Sequence, residues 1–323
     1  MIKKGKILWF VWAGLLVLLF LMSSTDLIIK ERKVEVYPIS VIIEEDSDSY
    51  YINFKKGMDQ AAAEFHVDIS FITLYASGDQ EQQMELVKRE IKDGAAAVIL
   101  APVNMEETLK ALEGLTPGCP ILLLGQPPSG GWAAGTVGVD GQETGRLLGE
   151  AVVNQTPANV PVCLVCRGLD YGDNAQVYEG MKTVLEEGGY DYRLVEEKDE
   201  DGFSQIFQDT DARGTKTFTI VALDVQTLDL AVQYLEETTT DLGRVEGLYG
   251  AGSTTPLTRA LEKGIVTGMT AYSQFDEGYL SVKLAVEAIR GRTQKQKIQL
   301  APVYLDQDGI RNKTYEKMLY PIE

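Results

Sequence analysis

Asp79-Gln-Glu-Gln-Gln-Met-Glu-Leu-Val-Lys-Arg-Glu-Ile-Lys-Asp-Gly-Ala-Ala-Ala-Val-Ile-Leu-Ala-Pro102 decides the fold. Met84, Val87 and Ile91 recur at helical spacing, and Gly94 follows the last of them as a helix stop. Residues 96–101 then form a short apolar run closed by Pro102, which reads as a buried strand. A helix feeding directly into a strand is half of a right-handed βαβ unit. The same rhythm extends outward. Residues 39–43 and 67–74 read as strands around a helix at 48–65. A helix at 106–115, a strand at 120–124, an extended piece at 136–139 and a helix at 141–153 follow. A second run starts at 160–166 and carries strands at 192–196, 218–223, 245–249 and 266–271. Helices at 175–187, 226–238, 256–263 and 275–290 and a short one at 203–209 separate them, and 298–305 is a final extended piece. Two such runs predict an α/β fold of two doubly wound, largely parallel-sheet lobes. Ligands of such folds bind beyond the carboxyl ends of the strands, so the loops after each strand are the informative positions.

The composition narrows the function. The chain has 323 residues, 45% of them hydrophobic, and is longer than a single ordinary domain of about 100–150 residues. With 30 Lys and Arg against 48 Asp and Glu the net charge is −18, a sign that repels phosphates and excludes nucleic acid as a partner. His66 is the only histidine, and it reads as a helix-end residue rather than a catalytic base. Cys163-Leu-Val-Cys166 has redox-motif spacing but lies inside a predicted strand, where residues three apart face opposite ways. The pair therefore reads as two core thiols. Gly250-Ala-Gly-Ser-Thr-Thr255 lacks the third glycine of a dinucleotide loop and reads as a turn with Ser253 or Thr254 capping a helix. No phosphate loop occurs, and Glu44-Glu-Asp-Ser-Asp48 lacks the glycine and distal glutamate of a calcium loop, leaving a solvated acidic turn. The expectation is no enzyme, no cofactor and no metal.

The first 33 residues read as a separate object. Lys3, Lys4 and Lys6 precede an apolar run at 7–22, longer than a signal-peptide core of about 7–15 residues and slightly short of a span of about 20. Ser23, Ser24 and Thr25 can extend it. Neither an Ala-x-Ala site nor a cysteine follows, which favours an uncleaved transmembrane signal anchor over a cleaved signal. The lysines place the N-terminus in the cytoplasm and the remainder outside, as a single-pass protein of the cell membrane.

Four stretches carry a family resemblance. They are residues 39–54 followed by Lys56-Gly-Met-Asp-Gln-Ala-Ala-Ala63, the segment 79–102 quoted above, Val137-Gly-Val-Asp140 through Gly145, and Gly264 through Gly278 with Ala288-Ile-Arg-Gly291. In this order the chain resembles the type I periplasmic binding proteins, in their ribose- and galactose-binding branch, which share a fold with lactose-repressor-type effector domains. The resemblance implies two lobes joined by three crossover segments, near residues 139–141, 273–276 and 302. Lobe one would hold 37–140 with 275–302, and lobe two 141–274 with 303–323. Position by position it implies ligand contacts at Asp48, Tyr50, Tyr51, Gln126, Asp173, Asn174, Asp224, Tyr249, Tyr272 and Gln274.

The Asp-Arg pair of the sugar binders is replaced here by Gly125 and Gln126, and tyrosines stand at two polar positions. The implied cleft is flatter, more aromatic and acidic, suited to a sugar, glycoside, nucleoside or cationic amine. The implied function is a membrane-anchored extracellular solute-binding protein that feeds an ABC permease or signals to a sensor histidine kinase. The alternative is a degenerate, ligand-free protein-interaction module.

Overall fold

The computed structural model describes residues 4–24, 36–44, 48–76, 78–115, 118–127, 133–196, 200–212, 216–291 and 295–320. It divides into two units, residues 1–36 and 37–323. The first contains one helix, α1 (Lys4–Ser24), on which Leu8, Trp9, Phe10, Trp12 and Phe20 are all exposed. Its described apolar side chains run over 8–22, and among the described residues no helix is long and apolar enough to cross a membrane.

The second unit is the strand–helix alternation. Its first half runs β1 (Tyr37–Ile43), α2 (Asp48–Phe65), β2 (Val67–Thr73), α3 (Gln80–Asp93), β3 (Ala97–Leu100), α4 (Met105–Glu113), β4 (Ile121–Leu124) and β5 (Gly135–Val139). Its second half runs α5 (Gly141–Gln155), β6 (Val162–Cys166), α6 (Asn174–Gly188), β7 (Tyr192–Glu196), α7 (Glu200–Ala212), β8 (Phe218–Ala222), α8 (Val225–Glu237), α9 (Thr239–Leu242), β9 (Val245–Ala251), α10 (Thr255–Lys263) and β10 (Gly268–Ala271). The chain then returns through α11 (Gln274–Ile289) and β11 (Gln296–Leu300), recrosses to β12 (Val303–Leu305), and ends in a 3-10 turn at Gly309–Arg311 and α12 (Lys313–Leu319).

Two six-stranded sheets result, in the orders β11-β5-β4-β3-β1-β2 and β12-β10-β9-β8-β6-β7. All pairings are parallel except β10 with β12. The predicted final extended piece at 298–305 is thus two strands in different sheets, because the break at Ala301-Pro302 lets the chain change lobes. The three crossings fall between β5 and α5, between β10 and α11, and between β11 and β12.

Both faces of each sheet are covered, which is why the strands read as continuous apolar runs. Along β1, Ile39, Val41 and Ile43 pack under α2 and α11, while Ile42 packs on the other side with Met84 and Val87 of α3. In the other lobe Phe218, Ile220 and Ala222 of β8 face α7, α8 and α10, and Val221 faces α5 and α6. Cys163 and Cys166 lie in these two opposite cores.

The segment quoted first folds as its pattern dictates. Asp79 caps α3 by accepting from the Gln82 N–H at 2.9 Å, and Gly94, at φ 97°, ends it in a left-handed turn. His66 takes φ 60° between α2 and β2, a helix-end position. Thr254 caps α10 by accepting from Leu257 N–H, as the turn reading of 250–255 expects.

The helix pair beside each sheet crosses at glycines. A Cβ on Gly57 would stand 2.0 Å from the Phe275 carbonyl oxygen, and one on Gly278 2.1 Å from that of Phe54. In the second lobe Gly145 meets Val177 O at 2.0 Å and Gly180 meets Gln142 O at 2.1 Å in the same way. These contacts let α2 meet α11 and α5 meet α6 backbone to backbone, next to the crossings.

Candidate ligand-binding cleft

The carboxyl ends of the two sheets face each other across a cavity of about 200 Å³. From the first lobe come Glu44 after β1, Tyr51 in α2, Pro102 and Met105 after β3, and Gly125 after β4. The second lobe supplies Tyr171, Asp173 and Asn174 before and at the start of α6, and Leu223 and Asp224 after β8. Thr270 of β10, Tyr272 and Glu277 enclose it on the side of the second crossing.

The two lobes touch across the mouth. Arg167, after β6, donates to Glu44 at 3.1 Å and to the Tyr171 hydroxyl at 2.9 Å. The Tyr171 hydroxyl in turn donates to the other Glu44 oxygen. The guanidinium lies 4.3 Å from the centroid of the Tyr171 ring, adding a cation–π contact. Burial and the Glu44 carboxylate hold the Tyr171 phenol well above its usual range, so it remains a donor. Asn104 supports this closure by a β-bridge to Tyr171 and a 3.3 Å bond to Asp170. A buried charge joined to its partner this way is costly to separate.

Asp224 caps α8 through Thr227 N–H at 2.8 Å, and its second oxygen accepts from Asn174 at 3.0 Å and from Arg167 N–H at 3.2 Å. Its carboxylate is well satisfied. Asp173 and Glu277 are not. Asp173 stands at the start of α6 without capping it, and accepts only from Gln126 N–H at 3.3 Å. It is enclosed by the two lobes yet open to the cavity, and burial pushes its carboxyl up to about 6 against the pull of that N–H and of Lys297. Glu277 is buried in the first turn of α11 and accepts from the Tyr272 hydroxyl at 3.0 Å. Burial, with the negative charge of Asp173, pushes it up to about 8.

Of the residues expected from sequence, Tyr51, Asp173, Asn174, Asp224 and Tyr272 are brought together here. Asp48 and Tyr50 lie in α2, but their side chains fall outside the described residues. Three others are placed elsewhere. Gln126 spends its amide holding the first crossing together, donating to Gly138 O at 3.1 Å and Ile298 O at 2.9 Å. Tyr249 points down into the core beneath α5, 1% exposed, with its hydroxyl on Gln155. Gln274 is buried at the start of α11 and does not line the cavity. Sequence reasoning missed Glu277 and Thr270, and took Glu44 for a solvated turn, whereas it is 6% exposed.

Among the described residues no group of three or more His, Cys, Asp or Glu side chains converges to hold a metal ion. The cavity is lined by tyrosines and carboxyls, the side chains that stacking and hydrogen bonding would use.

Two doubly wound lobes, three crossings and an interlobe cavity at the strand ends define a two-lobed binding protein. The chain belongs to the periplasmic binding protein domain family, whose model matches residues 39–293. The family is one of binding proteins, not enzymes. No curated protein matches the chain.

Solved structures with the same fold include GanP, a glucose-galactose binding protein from Geobacillus stearothermophilus, at 16% identity and TM-score 0.74, covering 86% of this chain and 100% of that one. The Caulobacter myo-inositol binding protein bound to myo-inositol matches at 18% identity and TM-score 0.73, covering 84% and 93%. The XylFII–LytSN complex matches at 15% identity and TM-score 0.70, covering 85% and 99%.

Proposed function

We propose that this protein is a membrane-tethered extracellular solute-binding protein of the sugar type, which closes its lobes around a small solute and presents or delivers it to a membrane partner. The observation that carries this reading is the cavity between the lobes, walled by Tyr51 from one side and Asp173, Asn174 and Asp224 from the other. A ligand touching both walls favours the closed arrangement by its differential affinity, which is how such a protein signals occupancy. The glucose-galactose and myo-inositol binding named for two of its structural relatives supports a polyol-sized solute. XylFII, met in complex with LytSN, supports a protein partner for the bound form, as a sensor kinase or an ABC permease would be.

The tether is supported by α1. Its large apolar side chains over 8–22 are exposed, about 22 Å of helix at 1.5 Å per residue, which suits an apolar anchor shorter than a full span of about 30 Å. Retention of the full chain in carbonate-washed membranes is the expected result, and full release would remove the tether from the account.

Thermal melts of the full chain in mild detergent, against millimolar pentoses, hexoses, inositols, amino sugars and nucleosides, test the binding role. A ligand at about 100 times its Kd stabilises the fold by about 2.7 kcal/mol, which is readily seen. A rise with one class is expected. A cooperative melt that no compound moves would favour a ligand-free interaction module instead.

A further inference from the structure

The polar inventory of the cavity is one-sided. Its charged lining residues are Glu44, Asp173, Asp224 and Glu277, and among the described residues no lysine or arginine lines it. Glu44 is held by Arg167 and Tyr171, and Asp224 by three N–H donors. Asp173 and Glu277 have one donor each, although a carboxylate offers about four acceptor positions. Lys297, on β11, acts on Asp173 from a distance without an ion pair. The Thr270 hydroxyl, on a residue 2% exposed at the cavity wall, has no hydrogen-bond partner. A neutral sugar would bring hydroxyls to such a site but leave its negative charge uncompensated, and buried uncompensated charge is costly.

Resting on the solute-binding reading above, we propose that the ligand carries an ammonium group, an amino sugar or an amine-bearing polyol, seated between Asp173 and Glu277 with its ring against Tyr51. An ammonium has three N–H donors and no acceptor, which fits two under-donated carboxyls. Tyr51 and Tyr272 line the cavity, and an aromatic ring attracts both a sugar ring and a cation. The empty site holds a proton on Glu277 at neutral pH, since burial and Asp173 push its carboxyl up to about 8. Seating an ammonium there drives that proton off, so at pH 7, where the amine still carries its charge, binding releases a proton, and it tightens as pH rises from 6 to 7. Asp173 itself, pushed up to about 6 by burial, sheds its proton at the bottom of this window and adds to the tightening; the other charged groups facing the pair are Asp224, the Glu44–Arg167 pair and, from β11, Lys297.

Calorimetric titration of the full chain in detergent tests this, using glucosamine, galactosamine and mannosamine against glucose, galactose and mannose in two buffers of different ionisation heat. The expected result is at least tenfold tighter binding of an amino sugar than of its hydroxyl parent, with proton release at pH 7. Glu277→Gln and Asp173→Asn are each expected to bring that ratio towards one, with the melt still cooperative. A hydroxyl sugar binding as tightly as its amino counterpart, or amine binding without proton release, would overturn the inference and leave the solute-binding reading intact. No binding by either class would overturn the inference as well, and the melts against pentoses, inositols and nucleosides then decide the solute-binding reading separately.

Discussion

Glu277→Gln should stabilise the ligand-free protein, and by an amount that depends on pH. The carboxyl is 9% exposed, its one donor is the Tyr272 hydroxyl, and Asp173 repels its charge, so it ionises near pH 8 instead of the ordinary 4.5. Between those two values the folded chain carries a proton that the unfolded chain has released. Stability therefore falls as pH rises through this window, at about 1.4 kcal/mol per unit. At pH 7 the cost is about 3 kcal/mol, and above pH 8 about 5 kcal/mol. Glutamine has no charge to lose, and its carbonyl still accepts from Tyr272. Urea unfolding of wild type and variant at pH 4.5, 7 and 9 is the assay. The two should be close at pH 4.5 and diverge in the variant's favour as pH rises. A difference that stays constant over that range, or a variant less stable at pH 9, would refute the reasoning that Glu277 is a buried, proton-holding carboxyl.

Other perturbations probe the remaining parts. Tyr51→Ala removes a cavity wall that also packs edge-on against Phe54 and Phe71, at 5.8 and 5.9 Å between centroids. Ligand binding should weaken by about 1–3 kcal/mol, read by titration, and unchanged affinity would move the stacking surface elsewhere. Arg167→Met takes the cation from the buried Glu44 and should cost the closed form about 3 kcal/mol, giving a larger radius of gyration by small-angle scattering without ligand; an unchanged radius would show that the latch does not hold the lobes. Gly145→Ala forces a Cβ against Val177 O and should destabilise by about 1–3 kcal/mol in thermal melts. Gly114→Ala, whose Cβ would meet its nearest neighbour at an ordinary 3.7 Å, should be near neutral in the same assay.

The fold was legible because its local signals agree with its tertiary layers. A run such as Ala97–Leu100 is buried on both faces, so it needs no alternation to be read as a strand, and Gly94 marks the helix end with the one conformation other residues avoid. The cleft was most legible where a residue's place after a strand fixes its direction. Asp173, Asn174 and Asp224 satisfy that condition. Tyr249 does not, because in the sequence a tyrosine near the end of β9 looks the same whether it turns out to the ligand or down beneath α5, and packing chose the second.

Gln126 was placed in the right loop, but two carbonyls brought together by the β5–β11 pairing claim its amide. Glu277 looks like an exposed acid in a helix's first turn, favoured there by the helix dipole. Its burial, beside Tyr272 at the second crossing and within reach of the Asp173 charge, is tertiary and cannot be seen locally. The Glu44–Arg167–Tyr171 contact joins residues more than a hundred positions apart, and no spacing rule reaches that far.

The most direct test of the central claim is a crystal structure grown with whichever compound raises the melting temperature most. The account predicts one molecule between the lobes, its ring against Tyr51 and its polar groups on Asp173 and Glu277, with Arg167 still closing on Glu44. The same compound bound outside the cleft, with the space between the lobes empty, would contradict it.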